Sequence, residues 1–525
     1  MKVLVLDNVS EKAVAILRAQ GITAEVSPTL PEDELVAKIP DYDGVIVRSQ
    51  TKVNARVIEA ATNLKVIGRA GVGVDNVDLE AATNKGVIVL NAPDGNTIST
   101  AEHTIGMIMA LARKIPQAHS TIKAGQWDRK SFTGVEVNGK NLGIVGMGRI
   151  GTEVAKRMQA MGMTILAFDP FLTEERATKL GVRLVTLAEL LTESDFITVH
   201  TPLTKETKGL LNAETLKQTK AGVRIINCAR GGIVEEEALA DAIEAGHVAG
   251  AALDVYTAEP PTNERLINLP QVVATPHLGA STAEAQVNVA IDVAEEMAKV
   301  LKDEPFKNAV NVPSVRPEVM KILSPYFPLA EKLGSLISQL TIGRLQRVEI
   351  EYSGELTDYD LSPLTTLVVE GLLKLVLNGE VNLVNARVLA KQRGLKISER
   401  KEPTDQDYNN KIRVKALSDQ GEHAVAGTFF RQNDQRVVEI DGYHFEVVPD
   451  GHLLIASHKD EPGIIGQVGT ILGAAGINIA YMQVGRKEAG GLAIMVLTVD
   501  QEIPAPVLDQ IKEVKGIDQP VQVFL

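Results

Sequence analysis

Short runs of Val, Ile and Leu recur in the first part of the chain at residues 2–7, 44–48, 65–68 and 87–91, with helical patterns such as 11–20 between them. That alternation predicts βα units around a parallel sheet. A longer helical pattern follows at 97–113, with Asn96 and Thr97 as its start signal. The strand rhythm then begins afresh at 141–145, 164–168, 196–200, 223–227, 249–254 and 272–274. Those six runs are what a doubly wound dinucleotide-binding domain needs. A helical stretch at 281–302 leads into Pro305, Pro313 and Pro317, which mark a domain boundary. Residues 315–448 mix helical and strand patterns without a motif tied to chemistry. Beyond the turn Pro449-Asp450-Gly451, the order strand, helix, strand, strand, helix, strand predicts a ferredoxin-like module.

Length and composition narrow the classes. A chain of 525 residues holds about three or four domains. Aromatic residues make up 4%, so the core is built mostly of Val, Ile, Leu and Ala. A net charge of −13 argues against a general nucleic-acid binder and against adhesion to an acidic membrane surface. The longest apolar run, 367–377, is interrupted by Glu370 and Lys374 and falls short of a membrane span. The start Met1-Lys2-Val3-Leu4-Val5-Leu6-Asp7 reads as a first strand, not a signal peptide. The single cysteine, Cys228, excludes an intramolecular disulfide and fits a reduced, cytoplasmic protein.

Gly146-Met147-Gly148-Arg149-Ile150-Gly151 matches G-x-G-x-x-G between an apolar strand and a helical pattern. Its glycines permit a tight turn and bring backbone close to a pyrophosphate at the helix N-terminus. Asp169 ends the next strand, 23 positions after Gly146. An acid there accepts hydrogen bonds from an adenosine ribose and repels a 2′-phosphate, so the expected cofactor is NAD rather than NADP.

Three residues downstream supply chemistry. Arg230, in Asn227-Cys228-Ala229-Arg230-Gly231-Gly232, follows a strand and can hold a carboxylate bidentately. His277, in Thr275-Pro276-His277-Leu278-Gly279-Ala280, can exchange the hydroxyl proton of a 2-hydroxy acid. Glu259, in the loop ending at Pro260, can orient that ring and stabilise its protonated form. Taken singly, an arginine is more often a solvated surface charge and a Thr-Pro-His histidine a turn cap. The combination carries the argument, because all three follow strands of one sheet. His103 reads as a packed or capping residue, and His200, at a strand end facing Thr201-Pro202, as a satisfied core histidine more readily than as a cofactor contact. His119, His247, His423 and His444 have no visible acid–base company, and no His/Cys spacing suggests a metal site.

These runs, with Arg48-Ser49-Gln50-Thr51-Lys52-Val53 and the run from Gly68 to Asp78, resemble the D-isomer-specific 2-hydroxyacid dehydrogenases over essentially the whole length. Asp460-Glu461-Pro462-Gly463-Ile464-Ile465-Gly466, followed by Gly476-Ile477-Asn478-Ile479, resembles an ACT regulatory domain. The resemblance implies an α/β architecture: a Rossmann-type domain (99–281) inserted in a flavodoxin-like substrate domain (1–98 and 282–314), then an intervening α+β domain (315–448) and a ferredoxin-like ACT domain (449–525). It implies that Arg230, Glu259 and His277 are catalytic. It implies an NAD site lined by Gly146, Gly148, Arg149, Ile150, Gly151, Asp169, Thr201, Pro202, Cys228, Ala229, Arg230, Asp254, His277, Gly279 and Ala280. The expected substrate is 3-phosphoglycerate, met by Arg48, Ser49 and Gly71 and by Lys130 of a neighbouring subunit in a homo-oligomer. Asp460 and Asn478 match positions that hold a small amino acid, with L-serine as the expected effector. Two alternatives stay open: a dehydrogenase for another D-2-hydroxy acid, and a non-enzymatic NAD-sensing protein.

Overall fold

The computed structural model describes the chain except residues 314, 316, 378–380, 405–406 and 431–433. The boundary expected at 314 therefore falls outside the described residues. Among those described, no helix is long and apolar enough to cross a membrane.

The first sheet is parallel, with strands β1 (Lys2–Val5), β2 (Thr23–Val26), β3 (Gly44–Val47), β4 (Val66–Arg69) and β5 (Ile88–Leu90) in the order β2-β1-β3-β4-β5. This is the flavodoxin-like arrangement. Strand β2 goes beyond the four runs read from the pattern. It is an edge strand, Thr-Ala-Glu-Val, whose Glu25 faces solvent and pairs with Lys2 and Lys38. The helix Thr97–Arg113 leads out of this unit, and the helix Ala283–Leu301 returns to it. Val289, Val293, Ala294 and Met297 of the returning helix pack into the core of the first sheet beside Val3, Val5 and Ile46.

The second sheet holds β6 (Asn141–Val145), β7 (Thr164–Phe168), β8 (Arg183–Leu184), β9 (Phe196–Val199), β10 (Val223–Asn227), β11 (Val248–Leu253) and β12 (Val272–Ala274). Its order is β12-β11-β10-β9-β6-β7-β8, all pairs parallel. The chain reverses direction across the sheet between β6 and β9, the topological switch point at which such sheets bind ligands. Seven strands are present where six runs were read, because β8 is two residues long and too short to leave a pattern.

A six-stranded sheet follows, from Leu345–Gly354 to Tyr443–Val447, packed on the helices Phe327–Leu340 and Ser362–Lys374. The last unit has strands His452–Lys459, Ile479–Arg486, Leu492–Val499 and Ile517–Phe524, with the second and fourth at the edges, and two helices on one face. Period-two alternation divides its strands. Leu454 and Ala456 face its own helices, while Leu453 and Ile455 join the core of the preceding unit.

The helix Ser362–Lys374 is buried from Pro363 to Leu373, and this includes Glu370. Among the described residues, Glu370 Oε2 has no hydrogen-bond partner. Burial, reinforced by the charge of Glu331, pushes the carboxyl from its ordinary 4.5 up to about 7. The folded state thus holds its proton where the unfolded chain has released it. Stability from this group is lost as pH rises from about 4.5 to 7, by about 3 kcal/mol in all. Glu370→Gln is expected to melt higher than the wild type at pH 8 and level with it near pH 4.5. Parallel melting profiles across that range would exclude the effect.

Candidate active site

The carboxyl ends of the two parallel sheets meet. From the first come Asp7 after β1, Arg48 after β3 and Arg69 at the end of β4; from the second come Thr201 after β9, Arg230 after β10, Glu259 after β11 and His277 after β12. The Nε of Arg230 lies 3.5 Å from Asp75 Oδ2, which joins the two edges.

The glycine loop is tightly built. Gly146 has φ +97°, and a Cβ there would lie 2.7 Å from the His200 carbonyl oxygen. A Cβ on Gly151 would lie 2.1 Å from the carbonyl oxygen of Gly146. At Gly148, the residue before the helix Arg149–Ala160, a Cβ would meet nothing within 4 Å. The loop is closed toward the protein and open where a pyrophosphate would lie. Asp169, the acid expected at a ribose, has a structural task in this fold. Its Oδ2 accepts from Met147 N (2.7 Å) and its Oδ1 from Phe171 N (2.8 Å), so it fastens the glycine loop to the end of β7. Arg149 pairs with Asp94. Thr201 Oγ1 and His200 Nδ1 are buried beside this loop without hydrogen-bond partners among the described residues. Burial pulls His200 down to about 4, so it is neutral, and its Nε2 lies 3.1 Å from Thr198 Oγ1. Cys228 is pushed up to about 12, first by burial and then by Asp254, which leaves an inert thiol. The open loop and the orphaned polar atoms fit a dinucleotide. Among the described residues, no His, Cys, Asp and Glu group could hold a metal ion.

His277 has φ +55° and is held from both sides. Its neighbours Leu278 and Gly279 donate their N–H groups to Asp254 at 2.7 and 2.8 Å. Asp254 is fully buried and also accepts from Thr275 Oγ1 at 2.6 Å, with His103 Nε2 at 3.1 Å. Burial alone would raise the pKa of this carboxyl, but the bonds from His103, Thr275, Leu278 and Gly279 outweigh it and hold the group below its ordinary value. His103 is packed, as its apolar neighbours implied, and its ring nitrogen serves this anchor. The Nδ1 of His277 lies 2.8 Å from Glu259 Oε2, and Glu259 Oε1 accepts from Tyr256 N at 3.3 Å. Nε2 of His277 makes no hydrogen bond among the described residues, so it is the nitrogen left for a reacting group.

Arg230 is anchored by its backbone, since Asn227 Nδ2 donates to its carbonyl at 2.9 Å. Its Nη1 donates to the Ala229 carbonyl at 2.7 Å. A Cβ on Gly73 would lie 2.2 Å from Nη2, so the chain passes close to the guanidinium there. Arg69 escaped the sequence reading. It is half-buried, its Nε has no partner among the described residues, and burial followed by the charge of Arg230 pulls it down to about 10. Its place at a strand end within the singled-out Gly68 to Asp78 run was the available signal. Arg230 and Arg48 both lie close enough for their charges to act on Arg69. Ser49 is exposed beside Arg48, and Gly71 is buried against Arg69. Lys130 is exposed, and its ammonium makes no ion pair among the described residues. Asp460 Oδ2 accepts from Arg486 Nη1 (2.9 Å) and Gly490 N (3.1 Å), and Asn478 Nδ2 donates to Asp500 Oδ2 at 2.8 Å.

A Rossmann-type sheet with an open glycine loop, and with an imidazole–carboxylate pair and an arginine at one sheet edge, defines an NAD-dependent oxidoreductase of the 2-hydroxyacid class. Comparison with known proteins agrees. Residues 105–279 match the D-isomer specific 2-hydroxyacid dehydrogenase NAD-binding domain, 322–441 the D-3-phosphoglycerate dehydrogenase intervening domain, and 452–516 the ACT domain. The chain is 47% identical over 517 residues to a D-3-phosphoglycerate dehydrogenase of Synechocystis, with 98% of this chain and 93% of that one covered. It is 48% identical over 516 residues to the Bacillus subtilis protein of the same name, with 98% of each covered. Among solved structures, apo D-lactate dehydrogenase from Escherichia coli superposes with a TM-score of 0.53 at 30% identity, covering 59% of this chain and all of that one. The chain belongs to the D-3-phosphoglycerate dehydrogenase family.

Proposed function

We propose that the chain oxidises 3-phospho-D-glycerate to 3-phosphooxypyruvate with NAD, the first step of the phosphorylated route to L-serine. The observation that supports this reading is the 2.8 Å pair of His277 and Glu259 at the same sheet edge as Arg230, whose charge acts on Arg69. When bound, NAD supplies the hydride acceptor. Gly146, Gly148 and the N-terminus of the helix Arg149–Ala160 hold its pyrophosphate, and Asp169 its ribose. Arg230 grips the substrate carboxylate and draws the C2 oxygen into place. His277 Nε2 takes the hydroxyl proton as C2 is oxidised, and Glu259 stabilises the imidazolium that forms. Arg48 and Arg69 meet the phosphate beside Ser49 and Gly71, and Lys130 reaches it from a neighbouring subunit. These cations offset the repulsion between an anionic substrate and an acidic chain. We propose in addition domain limits at 98, 281, 314 and 448 and a cytoplasmic homotetramer.

Purified chain given NAD and 3-phosphoglycerate is expected to accumulate NADH absorbance, with NAD preferred over NADP. Turnover of lactate or glyoxylate instead would move the assignment to another D-2-hydroxy acid. NAD binding with no turnover of any of these would favour a sensor.

L-serine is proposed to bind the last domain at Asp460 and Asn478 and to lower activity. Asp460 is held ionised by Gly490 and Arg486, which suits it to an α-ammonium. Calorimetry should then show heat on serine addition. Silence there, with kinetics unchanged at millimolar serine, would remove the proposal.

A further inference from the structure

We propose that Asp7 and Asn76 are positioning residues for substrate recognition: together they hold the backbone of the loop Arg48-Ser49-Gln50-Thr51, so that the Arg48 guanidinium is presented to the anionic end of the substrate. The inference rests on the function proposed above and adds two residues to it.

Asp7 follows β1 with φ +59° and is 2% exposed. A carboxylate so buried needs hydrogen bonds, and it has four. Its Oδ2 accepts from Arg48 N (2.8 Å) and Thr51 N (3.0 Å). Its Oδ1 accepts from Thr51 Oγ1 (2.6 Å) and Thr29 Oγ1 (2.8 Å). From the other side, Asn76 Nδ2 donates to the carbonyls of Arg48 (2.7 Å) and Thr51 (2.6 Å). Arg48 and Thr51 therefore each have their N–H held by one residue and their C=O by the other. The two tips between them, Ser49 and Gln50, are left exposed.

Nothing comparable restrains the side chain. The guanidinium of Arg48 makes no hydrogen bond or ion pair among the described residues, and it borders a pocket of about 260 Å³ with Asn8, Ser10 and Ala70. Its direction is accordingly set through the backbone. The clamp also spans segments. Asn76 lies next to Asp75, which faces Arg230 across the cleft, and its carbonyl accepts from Val53 N at 2.8 Å. One short run thus sets the distance between the cation at the phosphate end and the cation at the carboxylate end. The negative charge of Asp7 acts on Arg69 as well, offsetting part of the repulsion among the arginines.

The test uses the full chain with Asp7→Asn and Asn76→Ala, assayed with 3-phosphoglycerate and with unphosphorylated D-glycerate. The KM for 3-phosphoglycerate is expected to rise about tenfold or more, with kcat within about threefold and the KM for NAD unchanged, the signature of lost uniform binding. The preference for the phosphorylated substrate should shrink by the same factor. A residue that only supports the fold would lower the active fraction for both substrates alike and leave that preference intact. Combined with Arg48→Ala, either change should add little to the Arg48→Ala effect, because all act through one group. A preference within about twofold of the wild type in both variants, or full additivity with Arg48→Ala, overturns the inference. If Asp7→Asn does not fold, Asn76→Ala decides the matter. A wild type that never oxidises 3-phosphoglycerate sinks the proposed function and this inference together, whereas an active wild type with unchanged variants sinks this inference alone.

Discussion

His277→Asn is expected to lower turnover by about 10²–10⁴, the usual worth of general acid–base help, while NAD binding changes little. Asparagine is the cleaner replacement because position 277 has φ +55°, which Asn tolerates better than Ala. The imidazole is half-exposed and, among the described residues, its side-chain partner is Glu259, so its loss removes chemistry rather than core packing. Melting temperature should stay close to that of the wild type. Glu259→Gln should cost less, about tenfold or more. A glutamine amide can donate to Nδ1, which drives the ring proton to Nε2 and spoils it as a base. Steady-state NADH formation measures both. Turnover by His277→Asn within about tenfold of the wild type would show that another group handles the proton.

Much of the fold could be read because its central strands are unbroken apolar runs. Leu142 to Val145, Phe196 to Val199 and Val223 to Asn227 are buried almost throughout, and a strand buried on both faces leaves no polar interruption to confuse its limits. Two edge strands did not show, although the edge strands Ile88–Leu90 and Val272–Ala274 did. Thr23–Val26 is half solvated and carries Glu25, and Arg183–Leu184 has too few residues for any period. The common placement of Arg230, Glu259 and His277 was legible through topology: residues that follow parallel strands gather at one edge, whatever their separation in the chain. Arg69 was not legible, because a strand-end arginine looks like any surface cation until its burial is known. Asp7 read only as the end of a first strand. Its hydrogen-bond partners lie 22 to 44 residues away, so no local pattern could announce them. Asp169 was assigned to a ribose, and its second task of holding the glycine loop depends on geometry that spacing does not encode.

Arg230→Ala is expected to lower kcat/KM for 3-phosphoglycerate by about two to three orders of magnitude, since truncating one partner of a hydrogen-bonded charge pair costs about 2–5 kcal/mol. The loss should come without unfolding. The guanidinium is about a third exposed (31%) and its ion-pair partner Asp75 is 79% exposed, so that pair adds little to stability. The backbone anchor from Asn227 to the carbonyl of residue 230 does not depend on the side chain and survives the change. Arg230→Lys separates charge from shape. A lysine restores a cation but not the planar fork that meets two carboxylate oxygens at once, so it should recover only part of the loss. Removing this charge also relieves Arg69, whose proton Arg230 helps to destabilise, and that gain at the phosphate end cannot replace a grip on the carboxylate. A loss smaller than about tenfold for Arg230→Ala, with Lys and Ala indistinguishable, would place the carboxylate on another cation, and Arg69 is then the residue to replace next.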